Sequence, residues 1–161
     1  MSASAGAKEP RLHIALLHPE IGPNAGNAGR LCLGIGARLH LVHPLGFSTS
    51  DKAVRRAGLD YWRHVDVVEH DDAAAFFGWA AGRRVWAFSA RGARSYAAPT
   101  YGHGDVLLFG RESRGLPPEV VAEHDGGLRI PVLDAVRSLN LSNAIAVAAY
   151  RAMGDIDPGW C

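Results

Sequence analysis

The sequence has few cysteines, almost no net charge and no long apolar run, and each absence excludes a class of protein. Two cysteines in 161 residues cannot form a disulfide framework, and the pattern suits a reducing cytoplasm. A net charge of +1 gives no overall attraction to nucleic acid or membranes, so nucleic-acid binding must come from local patches. No apolar run approaches the ~20 residues of a membrane-spanning helix, and residues 1–10 lack the apolar segment of a signal peptide.

Several common catalytic motifs are missing as well. Residues 110–115 have the glycine separation of a phosphate-binding loop, but Leu116-Pro117 stands where Lys-Ser or Lys-Thr is required. Gly34-x-Gly36 falls at the end of a predicted helix rather than after a strand, which excludes a dinucleotide-binding fingerprint. The eight histidines include no His-x-x-x-His pair, so no metal site is expected, and no Gly-x-Ser-x-Gly elbow occurs.

The sequence instead alternates short apolar segments with amphipathic ones. Strands are predicted at residues 12–17, 38–43, 64–69, 84–89, 105–109 and 128–130. Helices are predicted at residues 24–36, 52–57 and 71–80, and from residues 117 and 138 onward, with Asn24 and Ser138 as caps. This order predicts an α/β fold with a mainly parallel sheet and helices on both faces. One domain is expected over residues 11–154, with tails at residues 1–10 and 155–161.

Three polar or glycine-rich loops follow the carboxyl ends of predicted strands, where open α/β sheets bind ligands. They are residues 24–30, 110–117 and 130–143. Glycines, small polar side chains, Arg30 and Glu112 suit a neutral or zwitterionic ligand held by main-chain hydrogen bonds. A plain turn into a helix explains the second loop alone equally well. Three such loops at one edge of a sheet favour a binding site.

Together, the three loops resemble the three motifs of the SPOUT superfamily of RNA methyltransferases. The matching segments are Asn24-x-x-Asn27-x-x-Arg30, Phe109-Gly-Arg-Glu-Ser-Arg-Gly-Leu-Pro117, and Ile130-Pro followed by Ser138-Leu-Asn-Leu-Ser-Asn143. The resemblance covers residues 12–150. The compact chain and the segment from Asp51 to Tyr61 are similar to one subgroup. That subgroup methylates the ribose 2′-oxygen of the wobble nucleotide in transfer RNA, on cytidine and on a modified uridine.

The resemblance implies features that periodicity alone could not show. One is a C-terminal deep trefoil knot, in which the end of the chain threads a loop, although general folding rules argue against knots. Another is S-adenosylmethionine bound in the knot in a bent shape. The residues that would line its pocket are Phe88, Gly110, Ile130, Ser138 and Leu139.

The resemblance also implies roles for three side chains in the reaction. Arg30 is the family's proposed base, but an arginine normally stays protonated. Orientation of the ribose or a phosphate, with help in deprotonation, is therefore the preferred interpretation, and a plain surface arginine is the alternative. Glu112 would organise the site or pair with Arg30, and Asn140 would fix the loop and the substrate. Asn143 is as easily structural as functional.

RNA contacts are expected from basic residues concentrated in loops near strand ends, although any one alone is more often a solvated charge. These residues are Lys52, Arg55, Arg56, Arg91, Arg94, Arg111 and Arg114. The last predicted helix has apolar residues on most faces, which indicates burial. A homodimer is expected to cover it, with Asn27 and Tyr150 at the interface.

The sequence thus predicts a cytoplasmic transfer RNA 2′-O-ribose methyltransferase that uses S-adenosylmethionine and forms a homodimer, with no membrane partner and no metal. One alternative keeps the fold and changes the substrate to ribosomal or other RNA. A second alternative is a non-catalytic RNA-binding protein with the knotted fold. The intact set of Arg30, Glu112 and Asn140 argues against this last alternative.

Overall fold

A computed structural model describes residues 8–56 and 59–160, without the side chains of residues 54 and 55. Its strands are β1 His13–Leu17, β2 Arg38–Val42, β3 Val67–His70, β4 Val85–Ala87, β5 Arg94–Ser95, β6 Val106–Phe109 and β7 Leu128–Arg129. Its helices are α1 Gly22–Ile35, α2 Asp51–Arg56, α3 Ala73–Ala80, α4 Pro118–Glu123 and α5 Leu141–Ile156, with a 3₁₀ turn at Trp62–His64. The predicted helix end at Ala57 and the terminal Cys161 lie outside the described residues.

Five parallel strands form the main sheet, in the order β3-β2-β1-β6-β4. The central strands β1 and β6 are buried along their whole length, which explains their uninterrupted apolar sequences. The predicted α/β fold with a mainly parallel sheet is confirmed. The prediction that residues 128–130 join this sheet is wrong, because β7 pairs with β5 in a separate two-stranded sheet. Strand β5 lies between the predicted strands at residues 84–89 and 105–109, where the sequence predicts no strand.

Helices cover both faces of the sheet. On one face, Ile14 and Leu16 of β1 pack with Cys32 of α1 and with α5. On the other face, Ala15 and Leu17 pack with α3 and α4. This division follows from the alternation of side chains along a strand. Cys32 lies in the core, and burial raises the pKa of its thiol.

The starts of α1 and α5 differ from the sequence prediction. Asn24 does not cap α1, because the helix already begins at Gly22, with Pro23 in the first turn, where a missing N–H costs nothing. Ser138 does not cap α5. Asn140 does so instead, and its Oδ1 accepts hydrogen bonds from the backbone N–H groups of Ser142 at 3.0 Å and Asn143 at 3.3 Å. Ser138 therefore lies in the loop before the helix.

Helix α5 is not apolar on all faces in the way its sequence indicated. One face is buried in the chain's own core, through Ile145, Ala148, Ala149, Ala152 and Met153. The other face is exposed, with Val147 at 38% and Tyr150 at 48% of their full accessible surface. The core of this chain alone thus explains most of the apolar pattern.

Three buried histidines form a hydrogen-bonded chain across β1, β2 and β3. The Nδ1 atom of His13 lies 2.9 Å from Nε2 of His40, and Nδ1 of His40 lies 2.9 Å from Nε2 of His70. The Trp79 ring packs against all three imidazoles. Burial lowers the pKa of all three, to about 4 for His13 and about 2 for His40. The histidines are therefore neutral in the folded protein at pH 7.

We expect the free energy of unfolding to fall as the pH is lowered from 7 to 5. Unfolded histidines take up protons near pH 6.5, whereas the folded chain keeps His13 neutral down to a pKa of about 4. The unfolded state binds more protons in this window, so acid favours it. The loss at pH 5 should be about 2 kcal/mol for each of His13 and His40, since one pKa unit corresponds to ~1.4 kcal/mol.

Urea unfolding at pH 7 and pH 5 measures this effect. His40→Leu should reduce the pH dependence whatever its absolute stability, and His103→Gln, at an exposed position, should leave it unchanged. A free energy of unfolding that stays constant between the two pH values would contradict the account.

Candidate active site

A hydrogen-bond network joins the three loops identified from the sequence. The side-chain amide of Asn24 donates to Oε1 of Glu112 at 3.3 Å, and its Oδ1 accepts from the amide of Asn140 at 3.1 Å. Asn24 is only 5% exposed, whereas Glu112 is half-buried and Asn140 is exposed, so both contacts are partly shielded from water. One residue from each loop therefore meets at a single point, beside the starts of α1 and α5.

Glu112 organises the start of α1. No side chain of the adjacent residues caps this helix. Instead, the Glu112 carboxylate accepts hydrogen bonds from the backbone N–H groups of Glu20 at 2.8 Å and Ile21 at 3.1 Å. A negative charge at this end also interacts favourably with the helix dipole. Of the two predicted roles of Glu112, organisation of the site fits these contacts, and the part of the chain described contains no Arg30–Glu112 ion pair.

We expect Glu112→Ala to destabilise the protein by about 1–3 kcal/mol, because two backbone N–H groups lose their acceptor. Glu112→Gln should cost less, since the amide oxygen can still accept. Urea unfolding measures the difference, with Glu123→Ala, at an exposed position on α4, as the control. Equal stabilities for Glu112→Ala and the control would refute the capping role.

The second loop is a tight turn that requires glycine. The backbone N–H of Gly115 donates to the carbonyl of Arg111 at 2.7 Å, and Gly115 has a φ of +70°. A Cβ on Gly110 would lie 2.1 Å from the carbonyl carbon of Gly115. The backbone at Gly110 and at Gly115 therefore approaches closely within the loop itself.

A second contact fixes this loop to the segment between β1 and α1. The Ser113 hydroxyl donates to Oε1 of Glu20 at 2.6 Å, and this hydrogen bond lowers the pKa of the Glu20 carboxyl. Sequence reasoning missed both residues. The only feature of the sequence that could have indicated a role for Ser113 is its position next to Glu112. No sequence pattern indicates that Glu20 is the partner of Ser113.

The residues predicted to line a cofactor pocket fall on two neighbouring parts of the fold. Phe88 stacks on Phe109, with ring centroids 4.7 Å apart, and Gly110 follows directly. Phe88 also bridges to Leu128, and Ile130 packs against the same core. The other two, Ser138 and Leu139, lie on the loop that leads to Asn140; Ser138 is exposed and Leu139 is half-buried.

The loop over residues 130–139 has main-chain groups available for a ligand. Within the described structure, its one internal main-chain hydrogen bond joins the N–H of Val136 to the carbonyl of Leu133. Leu133 is 86% exposed and Val136 is 55% exposed, which is unusual for apolar side chains. A loop with exposed residues and few internal main-chain hydrogen bonds fits a ligand that is held by main-chain hydrogen bonds.

Arg30 lies on the exposed side of α1, nearly two turns beyond Asn24, the buried member of the network. Its guanidinium carbon is 5.9 Å from the centroid of the Tyr61 ring, within reach of a cation–π contact. The Tyr61 hydroxyl donates to the carbonyl of Gly26 at 3.1 Å, so the ring is fixed against the same helix. Asn27 is exposed on this side too, whereas Asn24 faces the interior.

The residues predicted to bind RNA are exposed wherever their side chains are described, and within that part of the chain they form no ion pair with a carboxylate. They are Lys52, Arg56, Arg91, Arg94, Arg111 and Arg114. The side chain of Arg55 lies outside the described residues. Their charges can therefore act on a bound polyanion.

A metal-binding group and a membrane-spanning helix are both absent from the described residues. No group of three or more His, Cys, Asp or Glu side chains is arranged to hold a metal ion there. None of the helices in this part of the chain is both long and apolar enough to cross a membrane.

The sequence of this chain is similar to those of known proteins. A model of the SpoU rRNA Methylase family matches residues 11–150. The chain belongs to this family, and the family resemblance predicted from the three motifs is confirmed.

Individual relatives define the similarity more narrowly. A tRNA (cytidine(34)-2′-O)-methyltransferase of Saccharophagus degradans is 48% identical over 87% of this chain and 92% of its own length. A solved structure that concerns 2-OH methylation of C/U34 on tRNA is 50% identical, with a TM-score of 0.84 over 92% of this chain and 97% of that one. An AdoMet-bound rRNA methyltransferase from Sinorhizobium meliloti is 28% identical, with a TM-score of 0.76 over 91% of this chain and 57% of that one.

Proposed function

We propose that this protein transfers a methyl group from S-adenosylmethionine to the ribose 2′-hydroxyl of nucleotide 34 of transfer RNA, a cytidine or a modified uridine. The observation that carries the proposal is the network of Asn24, Glu112 and Asn140, which unites the three methyltransferase motifs at one point. The choice of transfer RNA over ribosomal RNA is supported by the relatives that are named for cytidine 34.

The residues proposed to hold the cofactor suit its chemistry. Phe88 and Phe109 form a buried aromatic pair directly before Gly110, and the loop over residues 130–139 offers main-chain donors and acceptors. Gly110, Ile130, Ser138 and Leu139 complete the proposed pocket, in the C-terminal segment that we propose is knotted. When bound, S-adenosylmethionine supplies an electrophilic methyl group on a sulfonium centre.

The chain's own residues position the acceptor. We assign Arg30 to the ribose or its phosphate, where a fixed cation holds the 2′-oxygen in line with the methyl carbon. Arg30 would help the hydroxyl proton leave to solvent, and S-adenosylmethionine, held by the residues of the proposed pocket, would supply the methyl group to the 2′-oxygen and leave as S-adenosylhomocysteine. Glu112 and Asn140 act on α1 and the third loop, and so set the distance between Arg30 and the cofactor pocket.

The assembly is part of the proposal. The exposed Val147 and Tyr150 of α5, with Leu33 and Asn27 of α1, form a surface that a second copy would cover. A dimer would present the exposed basic residues of both copies to one RNA. A transfer RNA substrate and the unpaired, buried Cys32 suit the cytoplasm.

Two experiments test the function. Calorimetry with S-adenosylmethionine should show saturable binding, and no binding at millimolar ligand would favour the non-catalytic alternative. Mass mapping of RNA from cells that lack the protein should show loss of one ribose methyl group, at nucleotide 34 of transfer RNA. Loss from ribosomal RNA instead would overturn the choice of substrate.

A further inference from the structure

A groove beside α1 is not used by the methyl-transfer site described above. It has a volume of about 320 Å³ and lies between the first turns of α1 and side chains from residues 47–53 and 59–62. This volume is at the small end of the range for ligand pockets, ~300–1,000 Å³. Its lining is mainly apolar and includes Gly22, Gly26, Phe47, Ala53, Leu59 and Trp62.

Glycines on α1 let the aromatic segment approach the helix. A Cβ on Gly26 would lie 3.1 Å from Cδ1 of Leu59, and one on Gly29 would lie 2.6 Å from Cζ3 of Trp62. The helix backbone therefore forms one wall of the groove, and aromatic and aliphatic side chains form the other. An apolar lining that includes the aromatic side chains of Phe47 and Trp62 suits a planar ring.

Arg30 lies on the same helix as the groove, one turn beyond Gly26. Gly26 and Arg30 are four residues apart and hence neighbours on the helix surface, about 5–6 Å from each other. Tyr61 connects them, because its hydroxyl binds the Gly26 carbonyl and its ring lies under the Arg30 guanidinium. A ribose held by Arg30 would therefore place its own base at the mouth of the groove.

The charges around the groove suit a polyanion. Helix α2, whose Ala53 lines the groove, carries exposed Lys52 and Arg56. Exposed Asp51 and Asp60 lie on the same segment, so the positive charge comes from these two residues together with Arg30. Proteins commonly bind single-stranded RNA by stacking bases on aromatic side chains while cations contact the backbone.

We propose that this groove receives the base of the nucleotide whose ribose is methylated, turned out of the anticodon loop and stacked against Phe47 and Trp62. The inference rests on the proposed function, because that function puts the ribose at Arg30. Turning the base out also exposes the 2′-hydroxyl to the cofactor.

Binding of two RNAs to two protein variants tests the groove. One RNA is an anticodon stem-loop with cytidine at position 34, and the other keeps the ribose, its 2′-hydroxyl and both phosphates there but lacks the base. Removal of the base should weaken binding to the unaltered protein about tenfold, as expected for one stacked base. Ala53→Leu fills the groove and should weaken binding of the complete RNA about tenfold. The same variant should weaken binding of the base-less RNA less than twofold. Ala122→Leu, at an exposed site on α4, should match the unaltered protein with both RNAs.

Two outcomes overturn the inference: equal affinity of the unaltered protein for both RNAs, or equal weakening of both RNAs by Ala53→Leu. The first comparison needs no variant, so it decides even if Ala53→Leu does not fold. Methylation of the complete RNA by the unaltered protein is measured in parallel. Its absence would count against the proposed function, whereas methylation with equal affinities would count against the groove alone.

Discussion

Replacement of Arg30 by alanine is expected to reduce methyl transfer by a factor of about 10²–10⁴ while the affinity for S-adenosylmethionine changes less than twofold. Arg30 is exposed on α1, and its one aromatic contact among the described residues is with Tyr61, so its loss should leave the core and the cofactor loops intact. The predicted reduction in rate has two causes. The variant loses a group that assists proton transfer in the transition state, and it holds the ribose less precisely.

The measurements are single-turnover methylation with saturating RNA and calorimetry with S-adenosylmethionine. Arg30→Lys keeps the charge but not the planar fork, and should retain an intermediate rate. Arg63→Ala removes an exposed arginine from the nearby 3₁₀ turn and should retain full activity. Parallel losses of turnover and cofactor affinity in Arg30→Ala would show that Arg30 is structural.

Replacement of Gly110 by alanine is expected to have the next largest effect, on both stability and cofactor binding. The added Cβ would lie 2.1 Å from the carbonyl carbon of Gly115 and 2.2 Å from the backbone nitrogen of Leu116. No flexible side chain can move away to accommodate it, so the turn itself must open. We expect a loss of about 1–3 kcal/mol in the free energy of unfolding, the usual effect of overpacking.

An opened turn would also displace Glu112 from the start of α1 and Gly110 from the proposed pocket. We therefore expect S-adenosylmethionine binding to weaken at least about tenfold, which corresponds to ~1.4 kcal/mol. Gly78→Ala is the matched control, because a Cβ there meets no atom within 4 Å on α3. That variant should be as stable as the unaltered protein or up to about 1 kcal/mol more stable. Unchanged stability and binding in Gly110→Ala would contradict the described turn.

The sheet and the three loops could be predicted because their signals are local. The uninterrupted apolar sequences of β1 and β6 predict buried central strands, and Gly36, at a φ of 72°, ends α1 as expected. The motif residues were found by type and spacing. The convergence of the first two loops follows from the rule that parallel strands end at one edge of a sheet, because β1 and β6 are neighbours. The third loop follows β7, which lies outside this sheet.

The details of the site could not be predicted, because they depend on contacts between residues far apart in the chain. Glu112 caps a helix whose first residue is 90 positions earlier, and Asn140 meets Asn24 across 116 positions. No local pattern encodes such partners. Asn24 has the right chemistry for a cap, but the helix begins two residues earlier, at Gly22, with Pro23 in its first turn. The Asn24 side-chain amide contacts the other two loops instead.

The central claim is methyl transfer to one ribose oxygen, and a reaction with purified components tests it most directly. The protein is incubated with S-adenosylmethionine carrying a labelled methyl group and with transfer RNA that has either cytidine or 2′-deoxycytidine at position 34. The account predicts labelling of the first RNA at the ribose of nucleotide 34 and no labelling of the second. Equal labelling of both RNAs, or a labelled base in place of the ribose, would contradict it.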